Sequence, residues 1–298
     1  MAIWEILRER VVSDLLEMNT MQECWPVWSV AIRAGMGPSP TSSVLLKDIG
    51  PRLAEIFAST GEERTQSSQS GGGAVWEALV CWYLNFCLIG TRTVVIKKAR
   101  HVPDCIKEAL TVTYGNVKTN SESDLIAITF PDDDLLKNLV SMPCSGRRFN
   151  QINDHIAFLF ERIEVCVIQC KTNWNENAQI PMLWDMIYSA TGFDKIRASV
   201  GVNGRGVRSL SKFCYAFVTV PTNGVVKFNP NSTPVLRLNG LSGGNFWGHP
   251  GRKGVAGSIA DIFNKNFQTA INGVGEPWPK FLTGELMEIE SKYAYFKV

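Results

Sequence analysis

Residues 165–170, Val-Cys-Val-Ile-Gln-Cys, make a run too short for a helix and too apolar for a strand with one wet face. Runs of this kind, rich in β-branched residues, belong to strands buried on both sides. Such a strand obliges the rest of the chain to cover two faces. Three further stretches have the same character: TVVIKKA at 93–99, DLIAITF at 124–130 and FCYAFVTVP at 213–221. Helical covers are legible as well. Ile3, Ile6, Leu7, Val11, Leu15 and Leu16 recur at helical spacing over 3–18, and Leu45, Leu46, Ile49, Leu53 and Ile56 do so near 44–60. AVWEALVCWYLNFCLIG at 74–90 is apolar almost all round. Further helices are expected at 178–190, with Pro181 tolerated in the first turn, and at 258–271, with Ser258 as cap and Asp261 three positions on. The expected fold class is α/β, a mixed central β-sheet flanked by helices.

With 298 residues and 45% hydrophobic content, the chain has ample material for one large core. A single domain over 1–298 is expected, with a helical part over 1–70, a core over 71–221 and a loop-rich part over 222–298. The polar stretches GMGPSPTSS at 35–43 and TGEERTQSSQSGGG at 60–73 read as loops. A formal net charge of +2 neither requires nor excludes a nucleic-acid partner. The eight cysteines include no C-x-x-C pair, and several sit in apolar runs, which fits buried free thiols in a reducing cytoplasm. Charges interrupt the N-terminal apolar residues, so no signal peptide is read there, and no stretch approaches the roughly 18 apolar residues of a membrane span.

The chemistry starts from Lys171. A lysine closing an otherwise apolar buried strand is expensive unless it has a partner or a task. Asp124 opens another strand and can share a site with it. Asp185 follows Lys171 by 14 residues, on the next expected helix. Phosphodiester hydrolysis needs such parts: carboxylates for Mg²⁺, which prefers hard oxygen ligands, and a lysine to stabilise charge on the phosphate and orient the attacking water.

Asp124 followed by Gln169-Cys170-Lys171 resembles the core motif of the PD-(D/E)XK nucleases. Ser123 stands where the motif has proline, and Gln169 stands where it has an acidic residue. The resemblance covers about residues 70–190. It implies a Mg²⁺-dependent type II restriction endonuclease, with catalytic residues Glu77, Asp124, Gln169, Lys171 and Asp185. The metal shell would draw on Asp124, the Cys170 carbonyl, and either Gln169 in place or Asp185 as a carboxylate moved to the following helix. Glu77, on the apolar helix before the core, would assist. A simpler reading of Lys171 is a strand-end lysine reaching solvent.

TNWNENAQ at 172–179 places Asn173, Asn175, Glu176 and Asn177 just past Lys171, side chains suited to base edges in the major groove. Arg205, Arg208, Lys212, Arg252 and Lys253 are candidate phosphate contacts. The expected partner is double-stranded DNA, cut by a homodimer or tetramer whose symmetry mirrors a near-palindromic site. A prokaryotic cytoplasm and a cognate DNA methyltransferase acting on the same site would accompany it. A repair nuclease without sequence preference, and a DNA-binding protein that lost the chemistry, are the alternatives.

Overall fold

The computed structural model describes residues 1–37, 43–60, 72–120, 123–138, 146–172, 198–219, 229, 231–233, 235–236, 240, 244–246, 259–262, 266–267 and 278–298. Among the described residues four helices open the chain: α1 (Ile3–Leu16), α2 (Asn19–Met36), α3 (Ser43–Ala58) and α4 (Gly72–Cys87). The strands are β1 (Thr93–Ile96), β2 (Val112–Tyr114), β3 (Val117–Thr119), β4 (Leu125–Thr129), β5 (Glu164–Lys171), β6 (Ala198–Val200), β7 (Lys212–Thr219) and β8 (Gly244–Phe246). The protein is thus mixed α/β, as its apolar strands and periodic helices predict.

Five strands form the main sheet in the order β1-β4-β5-β7-β8. β1, β4 and β5 run antiparallel to one another, and β7 and β8 then continue parallel to β5. A smaller sheet, in the order β3-β2-β6, was not expected. Its β2–β3 hairpin turns at Gly115-Asn116, and Gly115 takes φ 60°, at the position where two-residue hairpin turns favour glycine.

α4 lies at the centre. Every residue from Ala78 to Cys87 is buried, as a helix without a polar face must be. It packs against α1, α2, α3, β1 and β5. Trp82 stacks edge-on to Trp25 and Phe296, and its indole N–H donates to the Phe296 carbonyl at 3.2 Å. Helix α2 was not anticipated from the sequence. Its buried positions Met21, Cys24, Trp28, Ile32 and Met36 do keep helical spacing, and Pro26 lies on the exposed side.

Strand β1 is an edge strand, and an uncovered edge invites pairing with other chains. Two side chains close it here. The Asn85 amide donates to the Val95 carbonyl at 2.7 Å and accepts from its N–H at 3.0 Å, so it pairs as a neighbouring strand would. The fully buried Arg8 guanidinium donates to the carbonyls of Thr93 at 2.9 Å and Thr91 at 2.8 Å. Glu5 pairs with Arg8 through both carboxylate oxygens, at 3.1 and 3.2 Å, and also accepts the Gly90 N–H at 2.9 Å.

Of the remaining expected elements, 93–99 is strand only to Ile96, with a 3-10 turn at Ala99–His101. The expected helix at 258–271 begins in its described part as a 3-10 turn, Ile259–Ile262. The expected helix 178–190 lies outside the described residues. Among the described residues no helix is long and apolar enough to cross a membrane.

Candidate active site

The antiparallel pairing of β4 with β5 brings the start of one to the end of the other. Leu125 is in register with Ile168, so Asp124 falls one step further, beside Gln169 and Cys170. The Cys170 N–H donates to Asp124 Oδ2 at 2.8 Å, and Lys171 Nζ stands 3.6 Å from the same oxygen. Asp124 and Lys171, paired in the sequence reading only by chemistry, therefore meet at one edge of the sheet.

Glu77 sits near the start of α4, where the helix passes over this end of the sheet. Its carboxylate forms an ion pair with Lys97, the residue just after β1. Burial pushes the Glu77 carboxyl above its ordinary value. Lys97 works against that, Asp124 adds to it, and Lys171 opposes it. Glu77 thus feels all three other charges. The four side chains are between 14% and 25% exposed, buried enough to escape most solvent screening yet open to a ligand.

Lys97 was missed in the sequence, although the signal that singled out Lys171 was present. Thr-Val-Val-Ile is a fully buried strand followed at once by a lysine. Gln169 is 3% exposed, two positions before Lys171 on the same strand face, and in register with Phe217. Asp185, Asn173, Asn175, Glu176, Asn177, Arg252 and Lys253 lie outside the described residues.

The segment 205–212 is not brought to this site. β7 runs parallel to β5, with Lys212 opposite Glu164 and Thr219 opposite Lys171. Lys212 is therefore seven residues, roughly 23 Å, from the Lys171 end. Lys212 donates to the Asn266 carbonyl at 3.2 Å, and Arg205 pairs with Glu108, which also accepts from Asn203 at 2.7 Å. Arg208 follows Arg205 in the 3-10 turn that leads into β7. The three expected phosphate contacts thus lie toward the opposite end of the sheet from Asp124 and Lys171.

The chain just past Lys97 is fastened to α1. Asp14 Oδ2 pairs with Arg100 and His101, and the Lys98 ammonium donates to the Asp14 carbonyl at 3.0 Å. Burial alone would raise the Asp14 carboxyl, but the bonds from Arg100 and His101 bring it below its ordinary value. A folded-state value below the unfolded one gives stability that is present above about pH 4 and lost as the pH falls through the folded value. Urea midpoints should therefore drop below pH 4, and Asp14→Asn should flatten that drop while costing about 1 kcal/mol at pH 7. An unchanged pH profile in the variant would disprove the role of Asp14.

The donors at the site suit a hard cation. Glu77 and Asp124 offer carboxylate oxygens, and Mg²⁺ commonly uses one or two carboxylates, with water and substrate phosphate completing its shell. Among the described residues, no three or more His, Cys, Asp or Glu side chains form a cage for a metal ion, so substrate and water would have to supply the rest. The nearby thiols are poor candidates. Burial pushes Cys81 up to about 12 and Cys170 well above its ordinary value, so both stay protonated. Compared with known proteins, the chain matches no family model and no curated protein.

Proposed function

We propose that this protein is a Mg²⁺-dependent endodeoxyribonuclease with a PD-(D/E)XK-like core, acting as a type II restriction endonuclease on double-stranded DNA. The observation that carries this reading is the meeting of Asp124 and Lys171 at adjoining strand ends, with Glu77 near enough to feel both. Two carboxylates and a lysine at the rim of a buried sheet form a site for a phosphodiester and a hard cation.

In this mechanism Asp124 and Glu77 would hold the cation, with Gln169 or Asp185 and the Cys170 carbonyl as further oxygen donors. Mg²⁺, when bound, neutralises charge on the scissile phosphate and lowers the pKa of a water. Lys171 faces the phosphate, stabilises the charge that develops on it and orients the attacking water. Asp124 is itself aimed by the Cys170 N–H, which fixes one of its oxygens on the sheet side. Asn173, Asn175, Glu176 and Asn177, which follow Lys171 in the chain, are the proposed base readers. A homodimer or tetramer would present two such sites to the two strands. A cytoplasmic setting beside a methyltransferase of the same specificity completes the proposal.

The test is a digest of phage-sized duplex DNA with and without about 10 mM Mg²⁺. Discrete metal-dependent fragments are the expected result, and their ends would give the recognition site. A smear would replace this reading with a nuclease lacking sequence preference. Retained DNA binding with no cleavage in Mg²⁺ or Mn²⁺ would replace it with a binding protein.

A further inference from the structure

We propose that Lys97 is the counter-cation that Glu77 holds until DNA arrives, and that it then passes to a backbone phosphate, so that metal and DNA enter the site together. This rests on the nuclease reading above and adds to it a residue and a form of control.

Glu77 pairs with Lys97, and Asp124 faces Lys171 at 3.6 Å. Two formal negative charges and two formal positive charges make a neutral cluster. A divalent cation entering a neutral cluster raises it to +2 and meets an ammonium beside each carboxylate. A phosphodiester entering alone meets ammonium groups already engaged. When both enter, each relieves the other: the cation takes the carboxylates and the freed ammonium groups take the phosphate. Such coupling is reciprocal by thermodynamic necessity. A lysine suits the part because its ammonium is a compact charge on a flexible stem and needs no fixed fork of partners. Lys97 is also well placed to turn between two partners. The residues after it, Lys98, Arg100 and His101, are tied to Asp14, which anchors its backbone while its side chain spans to α4.

The purpose of such a device is restraint. An endonuclease whose site gathers metal only when DNA is in place does not hold a charged, metal-loaded centre between encounters. Lys171 cannot serve in this way if it must stay with the scissile phosphate, so the exchange falls to Lys97.

The experiment measures Mn²⁺ binding to the full protein without DNA, by electron paramagnetic resonance of the free ion. Lys97→Met should bind Mn²⁺ roughly tenfold more tightly than wild type, within the range usual for coupled sites. Lys97→Gln, which keeps length and polarity, should behave alike and serves if the methionine variant folds poorly. Adding a short duplex should tighten Mn²⁺ binding by wild type and do so far less in the variants. In Glu77→Gln/Lys97→Met the gain should disappear. Equal Mn²⁺ affinity in wild type and both single variants would overturn the inference, as would a gain that survives loss of the Glu77 charge. If wild type cleaves no DNA, yet duplex still tightens its Mn²⁺ binding and the Lys97 variants still gain affinity through Glu77, the cation exchange stands and the nuclease reading is what fails.

Discussion

Lys171→Ala should slow Mg²⁺-dependent DNA cleavage by roughly a hundred- to a thousand-fold, the usual cost of removing one charge-stabilising donor from a reaction centre. The variant should fold normally. Lys171 closes its strand at the sheet rim, and its side chain is 25% exposed. Its loss frees Asp124 from a competing ammonium, so divalent-ion binding should hold or improve while catalysis falls. That split separates a chemical role from a structural one. Single-turnover cleavage reports the first quantity, and a gel shift in Ca²⁺ reports DNA binding. Undiminished cleavage by the variant would remove Lys171 from the mechanism and with it the main ground for the proposed function.

The second large effect concerns folding. Arg8→Ala should destabilise the protein by about 3–5 kcal/mol, because it leaves Glu5 as a buried charge without its cation. The Thr91 and Thr93 carbonyls would lose their donor as well. Proteins of this kind hold only about 5–15 kcal/mol in total, so much of the variant should be unfolded or insoluble at 37 °C. Removing both charges should be milder. Arg8→Met with Glu5→Leu leaves unpaired carbonyls but no buried charge, and replacing a buried ion pair by apolar groups is often close to neutral. Urea unfolding of the two variants measures the difference. A single variant as stable as wild type would show that the buried pair does not fasten α1 to the edge of β1.

The strands were legible because burial on both faces leaves a mark that needs no context. Val165–Ile168, Leu125–Ile128 and Phe213–Val218 are apolar at successive positions, and each is a strand of the main sheet. Lys171 stood out for the opposite reason, as a charge where such a run ends. Lys97 carries the same mark but was read as part of a longer strand, because nothing local shows that pairing with β4 stops at Ile96. The position of Arg205, Arg208 and Lys212 was beyond local reading. It follows from β7 running parallel to β5, which sends its basic start to the far end of the sheet. The smaller sheet escaped notice because its three-residue strands carry too little pattern, although Gly115-Asn116 offered a turn signal. In α2, the internal Pro26 is a helix-breaking signal inside a regular apolar stripe.

The two-faced burial of the antiparallel strands also bears on how the chain finds one alignment among several. In a sheet with one wet face, sliding a strand by a single residue turns its apolar set outward and is strongly penalised. In β4 and β5 both faces are mostly apolar, so hydrophobicity alone discriminates less between neighbouring alignments. The marks that remain are polar and sit at opposite ends of the β1–β4–β5 meander. At one end the Thr93 and Thr129 hydroxyls meet at 2.7 Å, and at the other Asp124 receives the Cys170 N–H. A slip of β1 against β4 breaks the first, and a slip of β5 against β4 breaks the second. Asp124 thus helps to index the sheet whose rim it occupies, and a chain deprived of it loses a proofreading contact of folding along with a carboxylate.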